Sequence, residues 1–310
     1  MLDPDMAKIL EVLSDMKPME DMTLEELRTF LAPVPEDQRR PVSSVKDVET
    51  PDGLHVRLYM PTKQRCDTLL IYVHGGGFVL GSVETHDNVA RDLCEALGAV
   101  TVSIEYRLAP EHRFPTAPDD CLAGVRWAAE NAEALGANPD RIVLSGDSAG
   151  ANLATVTCLR LRDEGGPAIA GQVLVYPVTD YHTPPTQSYL DNADGYALTR
   201  GAMIRFWRDY IADESEQRHP HAAPLNAPDL SNLPPALVLT AEFDPLRDEG
   251  EAYAIKMRDA GVPVTLTRYD GLIHGFLRMT TASRRAAESL DHIRDWVDGL
   301  DNTASARGTG

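Results

Sequence analysis

The sequence predicts an α/β fold, a mostly parallel sheet with helices on both faces. Three observations carry that prediction. Short runs rich in Val, Ile and Leu alternate with helical patterns along most of the 310 residues. The runs are apolar throughout, and strands dispense with polar alternation only when both faces are buried. Glycines stand where helical patterns stop, as at Gly98 after "THDNVARDLCEAL".

In chain order, residues 1–40 stand outside the alternation, with helical stretches at 4–16 and 23–31. "VSSVKDVETPDGLHVRLYM" reads as two strands joined by a tight turn at Pro51-Asp52-Gly53, adding antiparallel strands at one edge. Next come strand "TLLIYV", helix "THDNVARDLCEALG", strand "AVTVSIEY", helix "PDDCLAGVRWAAENAEALG" to Gly136, and strand "RIVL". Helix 149–164, strands "GQVLVY" and "ALVLTA", helix 246–260, strand "VTLTRY" and helix 281–300 complete the alternation. Residues 180–225 interrupt it, and "SYLDNADGYALTRGAMIRFWRDYIA" has the apolar spacing of helices rather than of a bare loop. Segments 1–40 and 180–225 are expected to form a cap over the sheet's carboxyl edge. Segments 41–179 and 226–300 form the two parts of the core, and the polar ending 301–310 is expected to be a flexible tail.

Composition narrows the function classes. A net charge of −19 leaves no basic stripe to neutralise phosphates, which argues against nucleic acid as a partner. No apolar run approaches the roughly 18 residues of a membrane span. The acidic opening "MLDPDMAKILEVLSDMKPMED" lacks the basic start and apolar block of a secretory signal, so a cytoplasmic location is expected. The cysteines, Cys66, Cys94, Cys121 and Cys158, lie in apolar or helical stretches without metal-like spacing and are expected to be reduced and inert. His219 and His221 form a His-x-His pair without a third ligand nearby, so no metal is expected.

The chemistry is carried by "RIVLSGDSAGANLATVTCLRL", which places Ser148 on a turn between a strand and a helix. Such a turn lifts the hydroxyl clear of the sheet and demands small neighbours, here Gly146, Ala149 and Gly150. It also aims unpaired N–H groups of the helix start near the hydroxyl, where they would stabilise an oxyanion. A serine hydroxyl needs a base and a group to orient that base. Of nine histidines, His274 in "YDGLIHGF" lies just beyond the last strand, at the edge where Ser148 emerges; His112 is read as part of the site's floor. Glu242, Asp244 and Asp248 follow the penultimate strand. Asp248 falls in the first turn of a helix and Glu242 too near the strand end, which leaves Asp244 with the reach. "HGGGF" supplies a second loop of free donors, and no lysine follows it in the manner of a phosphate loop.

With "HGGGF", "YRLAPEHRFP", "GDSAGANLA", "DPLRDEG" and "HGF" in this order between residues 74 and 276, the chain resembles the hormone-sensitive-lipase-like esterases of the α/β-hydrolase superfamily, in the branch with a "GDSAG" elbow. The resemblance implies the α/β-hydrolase fold with a helical cap. Residue by residue it implies Ser148 as nucleophile, His274 as base, Asp244 as acid, and Gly76, Gly77 and Ala149 as the oxyanion-hole donors. It further implies hydrolysis of short- to medium-chain carboxylic esters through an acyl-enzyme, without cofactor, by a monomer or by a homodimer formed through an edge strand. The aromatic residues Tyr189, Tyr196, Phe206 and Trp207 of the insertion are candidate walls of the substrate pocket. Two other readings share these residues: an amidase using the same triad, and a ligand-binding receptor on the same fold, against which the presence of His274 speaks.

Overall fold

The computed structural model of the protein describes residues 1–307, so residues 308–310 of the expected tail lie outside the described residues. Eight strands form one sheet in the order β1-β2-β4-β3-β5-β6-β7-β8. These are β1 (Ser44–Glu49), β2 (His55–Met60), β3 (Leu69–Val73), β4 (Val100–Ile104), β5 (Ile142–Asp147), β6 (Gly171–Val175), β7 (Ala236–Phe243) and β8 (Val264–Ile273). The β1–β2 hairpin is antiparallel, β2 runs antiparallel to β4, and every later pairing is parallel. The strand pattern explains the layers. Leu69, Ile71 and Val73 of β3 join one core while Leu70 and Tyr72 join the other, so both faces of the same strand are buried.

One face is covered by α3 (Asp87–Leu97) and α9 (Arg284–Arg307), the other by α4 (Thr116–Glu130), α5 (Ala149–Glu164) and α8 (Arg247–Asp259). The fourth helix ends at Glu130 and reaches Gly136 through turns, short of the expected stop. The last helix continues to Arg307, into the segment read as a tail.

The two segments outside the alternation are helical. Residues 1–40 carry α1 (Pro4–Leu13) and α2 (Leu24–Phe30); the insertion carries α6 (Gln187–Asp191) and α7 (Arg200–Tyr210). Asp3 caps α1, and Thr23 with Glu26 forms a capping box on α2. The segments are fastened to each other. Arg205 of α7 donates to the carbonyls of Met19, at 2.6 Å, and Met22, and Thr199 donates to Glu20 at 2.9 Å.

Candidate active site

Ser148 stands at the end of β5 with φ 55° and ψ −121°, a conformation a non-glycine residue holds only where its surroundings enforce it. The enforcement is steric. A Cβ at Gly150 would lie 2.0 Å from the carbonyl oxygen of Val73, and one at Gly146 would lie 2.3 Å from that of Gly150. The elbow therefore closes only with glycine at both positions.

His274 follows β8, and its Nε2 lies 3.0 Å from the Ser148 hydroxyl. Its Nδ1 lies 2.8 Å from Asp244 Oδ2 in the loop after β7. An ionised carboxylate only accepts, so Nδ1 carries the hydrogen and Nε2 is left bare to accept from the serine. Asp244 is fully buried, and its second oxygen accepts from the Leu246 N–H at 2.8 Å. The competing carboxylates are engaged elsewhere. Glu242 accepts from the Gly271 N–H at 2.7 Å, and Asp248 from the Ser188 N–H at 2.7 Å.

The glycine loop after β3 faces the elbow. Gly76 (φ 124°) and Gly77 (φ 58°) line the same cavity as Ser148. Among the described residues, the N–H groups of Gly76, Gly77 and Ala149 have no partner within the chain. Such free donors beside a serine hydroxyl are suited to a developing oxyanion. What holds this loop against the elbow went unread in the sequence. Asp147, between Gly146 and the serine, accepts from the Gly75 N–H at 2.9 Å and from the hydroxyls of Tyr72 at 2.6 Å and Tyr176 at 3.4 Å. Burial, and then the Asp147 charge, raises both phenols well above their usual range, so they remain donors. The cue was the charged residue inside a motif that otherwise demands small ones.

A cavity of about 250 Å³ opens over these groups. Of the four candidate aromatic residues Phe206 lines it, and Tyr189, Tyr196 and Trp207 do not. One residue along a helix turns the side chain by about 100°, so Met203 and Phe206, three apart on α7, share the cavity face. Trp207 turns into the core against Phe78 and Tyr181. Tyr196 stacks on Phe243 at 4.9 Å, and Tyr189, on α6, is buried in the core. Residues 1–40 supply Ile9, Leu13, Met16 and Met19 instead. His112 is exposed rather than beneath the site. The rings behind the glycine loop are His74, stacked on Tyr106 at 4.3 Å and on His86 at 5.4 Å.

Residues 70–278 match the family described as the alpha/beta hydrolase fold. The chain belongs to that family, in its hormone-sensitive-lipase-like branch. Among relatives of this α/β hydrolase, the carboxylesterase NlhH of Mycobacterium tuberculosis is 42% identical over 77% of this chain and 76% of its own length. An arylesterase of Saccharolobus solfataricus is 40% identical over 81% of this chain and 82% of its own. A hyperthermophilic esterase of the archaeon Pyrobaculum calidifontis has the same fold with a TM-score of 0.90, at 39% identity over 97% of this chain and 99% of that one.

Proposed function

We propose that this α/β hydrolase is a serine carboxylesterase acting on short- to medium-chain esters through an acyl-enzyme on Ser148. The observation that carries the reading is the line of contacts from Asp244 through His274 to Ser148, at 2.8 and 3.0 Å, beside three free N–H groups. In the first step Ser148 attacks the ester carbonyl while His274 Nε2 takes its proton, and Asp244 stabilises the imidazolium. The N–H groups of Gly76, Gly77 and Ala149 stabilise the tetrahedral oxyanion. Its collapse expels the alcohol with the proton from His274. Water, activated by the same imidazole, then releases the acid. The chain's own groups carry every step, so the proposal calls for no metal or organic cofactor.

An apolar cavity of about 250 Å³ is small for a ligand site and supports short or medium acyl chains over long ones. Ser148→Ala should lower kcat on a short p-nitrophenyl ester by about 10⁶ while circular dichroism stays as in the wild type. Activity retained by that variant would refute Ser148 as nucleophile. No helix among the described residues is long and apolar enough to cross a membrane. A cytoplasmic location rests on the four free cysteines, three of them buried. A homodimer through the outer edge of β8 rests on the length of that outermost strand, ten residues, of which Gly271 already accepts from the Asp3 N–H. Sedimentation should return the mass of two chains, and the mass of one would overturn the dimer.

A further inference from the structure

Beyond the groups already assigned, the cavity wall carries one full positive charge, on Arg278. It sits in the 3-10 turn Phe276–Met279 just after His274, and it lines the same cavity as Ser148, Gly76 and Gly77. Its Nη2 donates only to two backbone carbonyls, those of Ala32 and Thr85, each at 3.3 Å. Its Nε is buried without a partner. Among the described residues, no carboxylate forms an ion pair with this guanidinium. Other arginines nearby are matched: Arg39 with Glu84 at 2.7 Å, Arg57 with Asp47 at 2.7 Å, and Arg91 with Asp87 at 2.6 Å.

The surrounding acids leave the charge of Arg278 open. Asp147 also lines the cavity, but its oxygens accept from Tyr72, Gly75 and Tyr176. Asp244 is turned to His274 and Leu246. His86 adds no charge of its own, because burial, with Arg278 and His74 beside it, pushes its imidazole well below the usual value. A guanidinium at the wall of an apolar cavity gives up part of its hydration and is stabilised by an anion offered in its plane, a carboxylate being the best geometric match.

We propose that Arg278 is a specificity residue that recognises a free carboxylate on the substrate, so that the preferred esters are those bearing a second, unesterified acid group. This rests on the ester-hydrolase reading of Ser148. The net charge of −19 opposes an anion at long range, but salt screens exposed charges over about 8 Å, while Arg278 acts within the cavity itself. A charged hydrogen-bonded contact of this kind is worth about tenfold or more in selectivity.

The test compares matched pairs of substrates by pH-stat. Monoethyl glutarate against diethyl glutarate places the acid on the acyl side; 4-acetoxybutanoate against its methyl ester places it on the alcohol side. In one pair at least, wild type should prefer the charged member. That preference in kcat/KM should fall about tenfold or more in Arg278→Met and be partly kept in Arg278→Lys. Equal losses on charged and neutral members would make Arg278 only a strut between Ala32 and Thr85, and would overturn the proposal. If Arg278→Met does not fold, wild-type inhibition decides: glutarate should compete about tenfold more tightly than glutaramide, and equal potency overturns recognition. Failure of the ester-hydrolase reading would be seen separately, as wild type that does not turn over p-nitrophenyl butyrate.

Discussion

Asp244 divides its oxygens, one for the imidazole of His274 and one for the N–H of Leu246, so the carboxylate is held by two donors and cannot swing aside. Asp248, four residues on, accepts from the Ser188 N–H and pairs with Arg247 at 2.9 Å, which ties α6 to the start of α8 without touching the imidazole. Asp244→Asn presents an amide that can donate to Nδ1 and favours the wrong tautomer, so kcat should fall by about 10⁴. Asp248→Asn should cost far less, because it leaves the Asp244 to Ser148 line intact. Steady-state kinetics of the two variants on one ester measures this, and the reverse ranking would transfer the acid's role to Asp248. That Asp244, and not Asp248, lies against His274 was legible in the sequence because strand end, loop and helix start impose different directions on neighbouring carboxylates. The role of Asp147 was not, since its partners Tyr72, Gly75 and Tyr176 come from two other strand ends that only the folded sheet brings together.

Between elements, one buried acid is Glu249 in the first turn of α8. It accepts from the N–H groups of Thr179 at 2.7 Å and Asp180 at 3.2 Å, joining that helix to the loop that leads into the insertion. Burial raises its carboxyl well above the usual value, against the pull of those two N–H groups, and the Asp180 and Asp244 charges add to the rise. The folded chain therefore keeps a proton that the unfolded chain releases near the ordinary carboxylate range. Stability should decline as pH climbs from that range up through the raised value. Glu249→Gln keeps an acceptor for the Thr179 N–H and removes the titration. Its urea midpoint should gain on wild type as pH is taken from about 5 to about 8; a constant gap would mean that Glu249 titrates normally. Element boundaries followed the same logic of local and distant forces. Helix 149–164 was legible to the residue because the elbow starts it and Gly165 ends it, whereas α4 stops at Glu130, where turns take over before the glycine.

At the scale of the whole molecule, a sheet buried on both faces announces itself in sequence, because uninterrupted Val, Ile and Leu have few other uses. The cavity does not. Its walls come from α1, α7 and the turns after β3 and β8, elements far apart in the chain, and aliphatic residues such as Leu13 and Met203 carry no mark in sequence that separates a cavity wall from core. Only Met6 of α1 is buried, so most of that helix packs lightly, and its inner face borders the cavity through Ile9 and Leu13. Leu13 also borders an adjoining cavity of about 360 Å³ that shares Met16, Met19, Phe30 and Ala197, which places it between the space above Ser148 and the space beyond. The reach of an acyl chain should therefore be set at this residue rather than by the insertion alone. Leu13→Trp narrows the passage, and the ratio of kcat/KM for an octanoyl over an acetyl p-nitrophenyl ester should fall by about tenfold or more. A half-exposed position at the end of a lightly packed helix tolerates the larger ring without overfilling the main core. An unchanged ratio in a folded variant would mean that long chains leave Ser148 by another route, and the N-terminal helices would lose their part in selecting the substrate.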